Sequence, residues 1–397
     1  MWLSAILCFG VLTLWVPARW ALSVFQVALF ALAASRIVQR RSVGLHFVGC
    51  LLVAAVAWGG LQVAAQWSVD RVTTLEATLN WVANLAAFAL AGDLYQNAEE
   101  RERFLRSALI FTGILAVASI FTFLTSPVGK AFWVFETGSE SRTLGPFVYK
   151  NQYAAFVEAV LPLAMLGVIR DRRRWVLHAA IVATLFASVV TGGSRMGSIL
   201  CLAEILVIPV IAFSRGMIDG RALARVVLGS LGAVVVFTGI VGWETLWKRL
   251  QEPNPYAVRL DLVQSSINMA RDRPLTGFGM GTWPEAYPGY ARFDDGTFVN
   301  QAHNDWAQWA DEGGIPFLSL MLAIAGWSMR PAVQSLWGVG ILCVWIHGLL
   351  DYPMQQRPAL TVFFFTLLGA LSSYENRVDR PATEGSGTRH RTRSSWS

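Results

Sequence analysis

Apolar residues run along this chain in blocks about as long as a bilayer is thick. Short clusters rich in arginine, glycine and proline separate them. Twelve blocks stand out: 2–16, 20–37, 45–66, 75–94, 104–124, 152–169, 175–191, 196–213, 223–243, 314–329, 333–351 and 357–374. A membrane-crossing helix takes about 20 mostly apolar residues. The pattern therefore predicts an all-α polytopic membrane protein with about twelve transmembrane helices. The first block lacks the basic flank of a signal peptide and reads as a span.

Two polar intervals are too long to be plain connectors: 125–151, and 244–313 between the ninth and tenth blocks. Loops of that length are commonly functional. Within the second, Val258, Leu262, Val263, Ile267 and Ala270 recur at helical spacing, which predicts an amphipathic helix lying along the membrane surface. "GFGMG" at 277–281 follows no strand and opens no helix, so it reads as turn chemistry rather than a nucleotide fingerprint. Residues 1–375 form one integral membrane domain in this reading. Residues 376–397, polar and basic, form a disordered tail.

Composition sharpens the picture. Only 15% of the 397 residues are charged, against about 25% in a soluble domain. The net charge of +6 does not indicate nucleic acid, because the basic residues sit between spans. With the N-terminus inside, 19 Lys and Arg fall on the cytoplasmic side and seven in short segments opposite; six more lie in the long loop. That asymmetry puts both termini in the cytoplasm and the 244–313 loop outside. Cys8, Cys50, Cys201 and Cys343 all fall in apolar blocks and read as packing residues.

The candidate chemistry gathers at block ends. In "VTGGSRMGSIL" (190–200), Gly192 and Gly193 end one helix and Ser194 caps the next. Arg195 then sits at a helix N-terminus suited to an anion, with a guanidinium able to grip phosphate in two places. The alternative is an arginine reaching for lipid headgroups. Arg259, in the long loop, is either a solvated charge or a second clamp for a diphosphate. His303 and Asn304 precede the tenth block, with Asp305 and Glu312 close by; a neutral imidazole there can take a proton from a hydroxyl. Asn151 and Glu158 are seven apart and share a helix face. A carboxylate inside a span invites a functional reading, orienting a sugar or relaying a proton; a hydrogen-bonded structural glutamate is the alternative. Glu204, also within a span, has a weaker claim. His347 and Asp351, at i and i+4, predict a structural His–Asp hydrogen bond between the last two spans. No Walker motif is present, and "FDDG" (293–296) reads as a turn without a metal.

Taken in order, "GPFVYKNQYA", "GGSRMGS", Arg259 followed by "RPLTGFGMGTW", "AHNDWAQWADEGG" and "HGLLDYP" resemble the O-antigen ligase and Wzy-type polymerase superfamily of bacterial membrane glycosyltransferases. The resemblance covers roughly residues 140–360; the first five blocks match in hydropathy alone. It implies a GT-C-like helical fold in the inner membrane, with a periplasmic active site under the large loop. A glycan would pass from a polyprenyl-diphosphate carrier to an acceptor hydroxyl, on a saccharide or a lipid A-core, with no metal, nucleotide sugar or other cofactor. The resemblance assigns Arg195 and Arg259 to the diphosphate and His303 to the catalytic histidine. Asn151, Glu158, Ser194 and Asn304 are the candidate substrate-binding residues beside them. One departure bears on the acceptor: Phe317 stands where the ligase pattern has a small or polar residue. A ligase and a polymerase both fit. The rivals are a small-solute transporter of the bicarbonate kind and a protein O-oligosaccharyltransferase.

Overall fold

A computed structural model of the chain describes residues 2–39, 46–252, 256–293, 296 and 298–378. Arg40, Arg41, Asp294, Asp295 and the tail from residue 379 onward lie outside the described residues.

Five helices open the chain: α1 (Trp2–Leu12), α2 (Arg19–Gln39), α3 (Phe47–Ala64), α4 (Arg71–Leu94) and α5 (Ala98–Thr125). A small hairpin follows, pairing β1 (Lys130–Ala131) with β2 (Phe135–Glu136). Next come α6 (Lys150–Arg170), α7 (Trp175–Gly192), α8 (Arg195–Ser214) and α9 (Gly220–Val241). The interval predicted as a long loop carries α10 (Glu244–Leu250), α11 (Ala257–Asp272), α12 (Trp283–Ala286) and a 3-10 turn at Tyr287–Tyr290. The last helices are α13 (Asp305–Ser335), α14 (Val339–His347) and α15 (Pro358–Val378).

Among the described residues, eight helices are long and apolar enough to cross a membrane: α2, α3, α5, α6, α7, α8, α9 and α13. Several leave large apolar side chains uncovered. Ile110, Ile114, Val117 and Phe121 on α5, and Leu228, Val235, Val236 and Ile240 on α9, are each more than half exposed. Ridges of that kind on helix after helix are too extensive for a protein in water. The chain is an all-α polytopic membrane protein. The other four predicted blocks fall on α1, α4, α14 and α15. The block 333–351 does not persist as one helix. α13 runs on to Ser335, the chain turns at Leu336 with φ of 64°, and α14 ends at His347. Residues 348–357 therefore leave the helix and form a strap of turns.

α6 is the hub. Most of its side chains are buried, and it packs against α5, α7, α8 and α14. Small residues permit close approach: a Cβ on Gly197 would come within 2.4 Å of the Ala154 methyl, and one on Gly340 within 2.3 Å of the Glu158 carbonyl. Polar caps set several helix starts. Asp70 accepts from the Val72 and Thr73 amides, Asn97 from Glu99, and Asp219 from Ala222, each cap worth about 1 kcal/mol.

The predicted helix at 257–272 is present, but it packs on a different face. Of the five apolar positions only Leu262 is buried; the inward stripe is Leu262, Ser265, Ser266 and Met269. The serines turn inward because the next segment supplies their partners. Ser265 donates to the Tyr290 carbonyl at 2.9 Å, and the Trp283 indole donates to Ser266 at 2.8 Å. With Phe278 and Tyr287 they close a small core separate from the bundle's.

"GFGMG" is turn chemistry, and it clips this small core to the bundle. Gly277, Gly279 and Gly281 all have positive φ. Their neighbours wrap the start of α13: the Phe278 and Gly279 amides donate to the Asp311 and Glu312 carbonyls, both at 2.9 Å. The Glu312 carboxylate accepts from the Gly281 and Trp283 amides. Gln62 of α3 donates to the Thr276 and Glu312 carbonyls and accepts from the Met280 amide. Gly314, at φ 67° and ψ −177°, breaks α13 just beyond. The break lets the Ile315 amide reach the Pro274 carbonyl at 2.8 Å.

Candidate active site

Asp351 lies in the strap after α14, and four side chains from distant parts of the chain converge on its carboxylate. Arg259 Nη2 of α11 is 2.9 Å from Oδ2. The Tyr149 hydroxyl, just before α6, donates at 2.9 Å to Oδ1. The Asn151 amide donates to Oδ2. His303 Nδ1 stands 3.6 Å from Oδ1, facing the carboxylate but beyond hydrogen-bond length. Burial pushes the Asp351 carboxyl upward, but the facing His303 ring and the Arg259 guanidinium outweigh it and hold it at about 2. The Tyr149 hydroxyl is pushed well up, by burial first and by the Asp351 charge second, so it stays a donor.

The local sequence explains each placement. Gly193 closes α7 in the left-handed conformation at φ 67°. Ser194 then caps α8, accepting from the Gly197 amide at 3.2 Å and donating to Asn151 Oδ1 at 2.8 Å. That second bond turns the Asn151 amide nitrogen toward Asp351. Arg259 also donates to the Leu350 carbonyl at 2.8 Å, so it reads both the backbone and the side chain of the strap. Asn304 caps α13, accepting from the Ala307 amide, and its nitrogen donates to the Leu349 carbonyl at 2.6 Å. His303 precedes it at φ 53°, a conformation histidine tolerates better than most residues and one that tends to occur at functional sites. Its ring meets Tyr352 edge-on at 4.7 Å, and Tyr352 stacks on Tyr149 at 4.9 Å.

Arg195, at the first turn of α8, lies next to this group. Its guanidinium donates to the Arg249 carbonyl at 2.8 Å and pairs with Glu252 at 3.4 Å. Tyr256 joins it to Arg259: the two guanidinium carbons lie 5.4 and 5.8 Å from that one ring's centre. Lys150 is within electrostatic reach of Arg195, Arg249, Arg259 and Glu252. Lys150 and the three arginines, set against Glu252 and Asp351, leave an excess of positive charge where three segments meet. Arg195, Arg259 and His303 keep 14%, 23% and 23% of their side-chain surface exposed, so all three remain reachable.

The structure thus brings Arg195, Arg259, His303, Asn151, Ser194 and Asn304 into one neighbourhood. Asn151 and Ser194 are buried and act on it through Asp351; Asn304 spends both ends of its amide on backbone. Glu158 is elsewhere. It is fully buried and its Oε1 lies 2.8 Å from Nδ1 of an equally buried His347. The predicted His347–Asp351 bond is therefore not made: His347 faces Glu158, and Asp351 faces His303 instead. The Asp351 amide still bonds the His347 carbonyl at 3.0 Å; the side chains part because Glu158 takes the His347 ring while Arg259, Tyr149 and Asn151 take the carboxylate. Phe317 lies inside the bundle, edge-on to Trp81 at 5.1 Å, and is a packing residue. Asp351, Tyr149, Tyr256 and Lys150 were missed as site residues; "VYKNQ" and "LLDYP" held three of them in plain view.

Residues 180–323 match the family model described as O-antigen ligase. No curated protein matches the chain. The matched stretch contains Arg195, Arg259, His303 and Asn304. Asn151 and Asp351 lie on either side of it.

Proposed function

From the premise that residues 180–323 carry the O-antigen ligase family's segment, we propose that this chain is a membrane glycosyltransferase. It takes a glycan from a polyprenyl-diphosphate carrier and passes it to an acceptor hydroxyl, as an O-antigen or exopolysaccharide polymerase or as an O-antigen ligase. It sits in the bacterial inner membrane with about twelve spans in a GT-C-like arrangement, both termini cytoplasmic and the site periplasmic. The observation that carries this reading is the pair of arginines flanking Tyr256 beside His303.

The chemistry follows from charge. The donor's diphosphate binds Arg195 and Arg259, with Lys150 adding to the field. The acceptor oxygen attacks the anomeric carbon, the bond from that carbon to the diphosphate oxygen breaks, and polyprenyl diphosphate departs. Negative charge gathers on the leaving group, and preset guanidinium groups stabilise it without reorganising. The acceptor's proton passes to His303. Asp351 faces Nδ1 and orients the ring, which leaves the other ring nitrogen for the hydroxyl. A positioned base of this kind contributes about 10²–10⁴-fold. Displacement in one step inverts the anomeric centre.

The test is to incubate the purified protein with a polyprenyl-diphosphate glycan and candidate saccharide or lipid A-core acceptors, and to weigh the products by mass spectrometry. Transfer that is lost in Arg195→Ala, Arg259→Ala and His303→Ala supports the reading. Full transfer by all three variants overturns it, as does solute uptake into liposomes lacking any lipid-linked sugar with no transfer by the wild type.

A further inference from the structure

A cavity of about 230 Å³ opens where the turn between α1 and α2 meets the start of α4 and the end of the strap. It lies at the same end of the bundle as the site. The Val69 amide, just before α4, bonds the Phe278 carbonyl at 2.9 Å, and Arg357 is six residues from Asp351. Pockets for drug-sized ligands run about 300–1,000 Å³, so this one suits a single sugar unit or one phosphate-bearing headgroup.

Its polar lining is asymmetric. Arg19 pairs with Glu76, and Asn80 accepts from Gln26 at 2.8 Å. Arg357 also lines the cavity, and no carboxylate among the described residues pairs with it. Burial already lowers its pKa from the usual arginine value, so an anion nearby would relieve a real cost. The backbone holds it in place: Gln356 sits at φ 64° and the Gln355 carbonyl accepts from Gln152 of α6 at 3.1 Å. Tyr352 links the two sites. It is within electrostatic reach of Arg357, and its ring is the one edge-on to His303.

We propose that this cavity binds a phosphate- or carboxylate-bearing unit of the acceptor, held by Arg357, so that a hydroxyl farther along the acceptor reaches His303 past Tyr352. The proposal rests on the glycan-transfer reading for its ligand's role, and its binding test does not depend on transfer. The probe is glucose 1-phosphate, with glucose as the neutral control. It is titrated against the full chain in phosphatidylcholine nanodiscs and followed by tryptophan emission, since Trp15 and Trp20 adjoin the lining residues Val16 and Arg19. An Arg259→Ala background keeps the probe off the diphosphate site. The expected result is saturable binding of the phosphate and none of glucose. Affinity should fall at least fivefold in Arg357→Gln, recover in Arg357→Lys, and fall less in Arg19→Gln.

Equal affinity in Arg357→Gln and its parent overturns the proposal. So does loss of the response when phosphatidylglycerol replaces phosphatidylcholine, because the occupant is then a lipid headgroup. In the otherwise wild-type chain, Arg357→Gln should raise the KM of an acidic acceptor at least fivefold and leave kcat unchanged. A chain that transfers nothing, yet loses glucose 1-phosphate binding on Arg357→Gln, upholds the anion site and overturns the transfer reading.

Discussion

Two histidine–carboxylate pairs lie within one helix and one turn of each other, and they do opposite things. His347 and Glu158 are sealed in the bundle, 2.8 Å apart and without solvent exposure. His303 and Asp351 are 3.6 Å apart at the bundle's end, where the histidine keeps 23% of its side-chain surface. The inner pair has each other. The outer carboxylate is shared with Arg259, Tyr149 and Asn151, so its histidine is oriented but not consumed. A pair sealed from solvent serves the fold, whereas a pair whose histidine is partly exposed beside a cation can act on something else. The two are also coupled mechanically. His347 ends α14 and begins the turn carrying the Leu349 and Leu350 carbonyls that Asn304 and Arg259 use.

The contrast breaks most sharply on the outer side. Arg259→Ala and His303→Ala should each cut glycan transfer by about 10²–10⁴-fold. Transfer rates within threefold of wild type for both variants would dissolve the distinction between the pairs.

The inner pair should answer in stability. Removing one partner of a buried pair leaves the other uncompensated, at a cost of about 3–5 kcal/mol. Glu158→Leu and His347→Leu should each lower the unfolding midpoint strongly. The double variant should be more stable than either single one, because apolar replacement of both removes the orphan. A double-mutant cycle on purified protein reads this directly. Additive losses would mean the two side chains do not serve one another.

The sequence reveals what local rules control. Ser194 as a cap and Gly193 as a left-handed stop follow from four consecutive residues, and "GFGMG" declares its turns through glycine alone. The break at Gly314 falls where "GG" precedes an apolar run. What stays hidden is set by tertiary partners. Nothing local joins Arg195 to Arg259; Tyr256 does that, from the start of a helix 61 positions after Arg195. Nor could the α11 stripe be read from its apolar residues, since Trp283 and Tyr290 draw the serines inward. Asp351 was legible as a carboxylate and misassigned as to partner, because Arg259, Tyr149 and Asn151 reach it from distant segments and Glu158 takes His347.

The smallest expected effect separates the outer carboxylate from an ordinary one. Asp351 sits at about 2 in the folded chain, against 3.8 for a free side chain, a difference of roughly 2 kcal/mol. A depressed folded value means that this stabilisation is fully present above about pH 4 and is lost as pH falls toward 2. Asp351→Asn removes the titration while keeping the shape. The gap in unfolding midpoint between wild type and variant should therefore hold down to about pH 4 and shrink between pH 4 and 2. A gap already closed at pH 4 would mean that Arg259 and His303 do not hold the carboxylate charged. The orientation of His303, and with it the difference between the two pairs, would then need another cause.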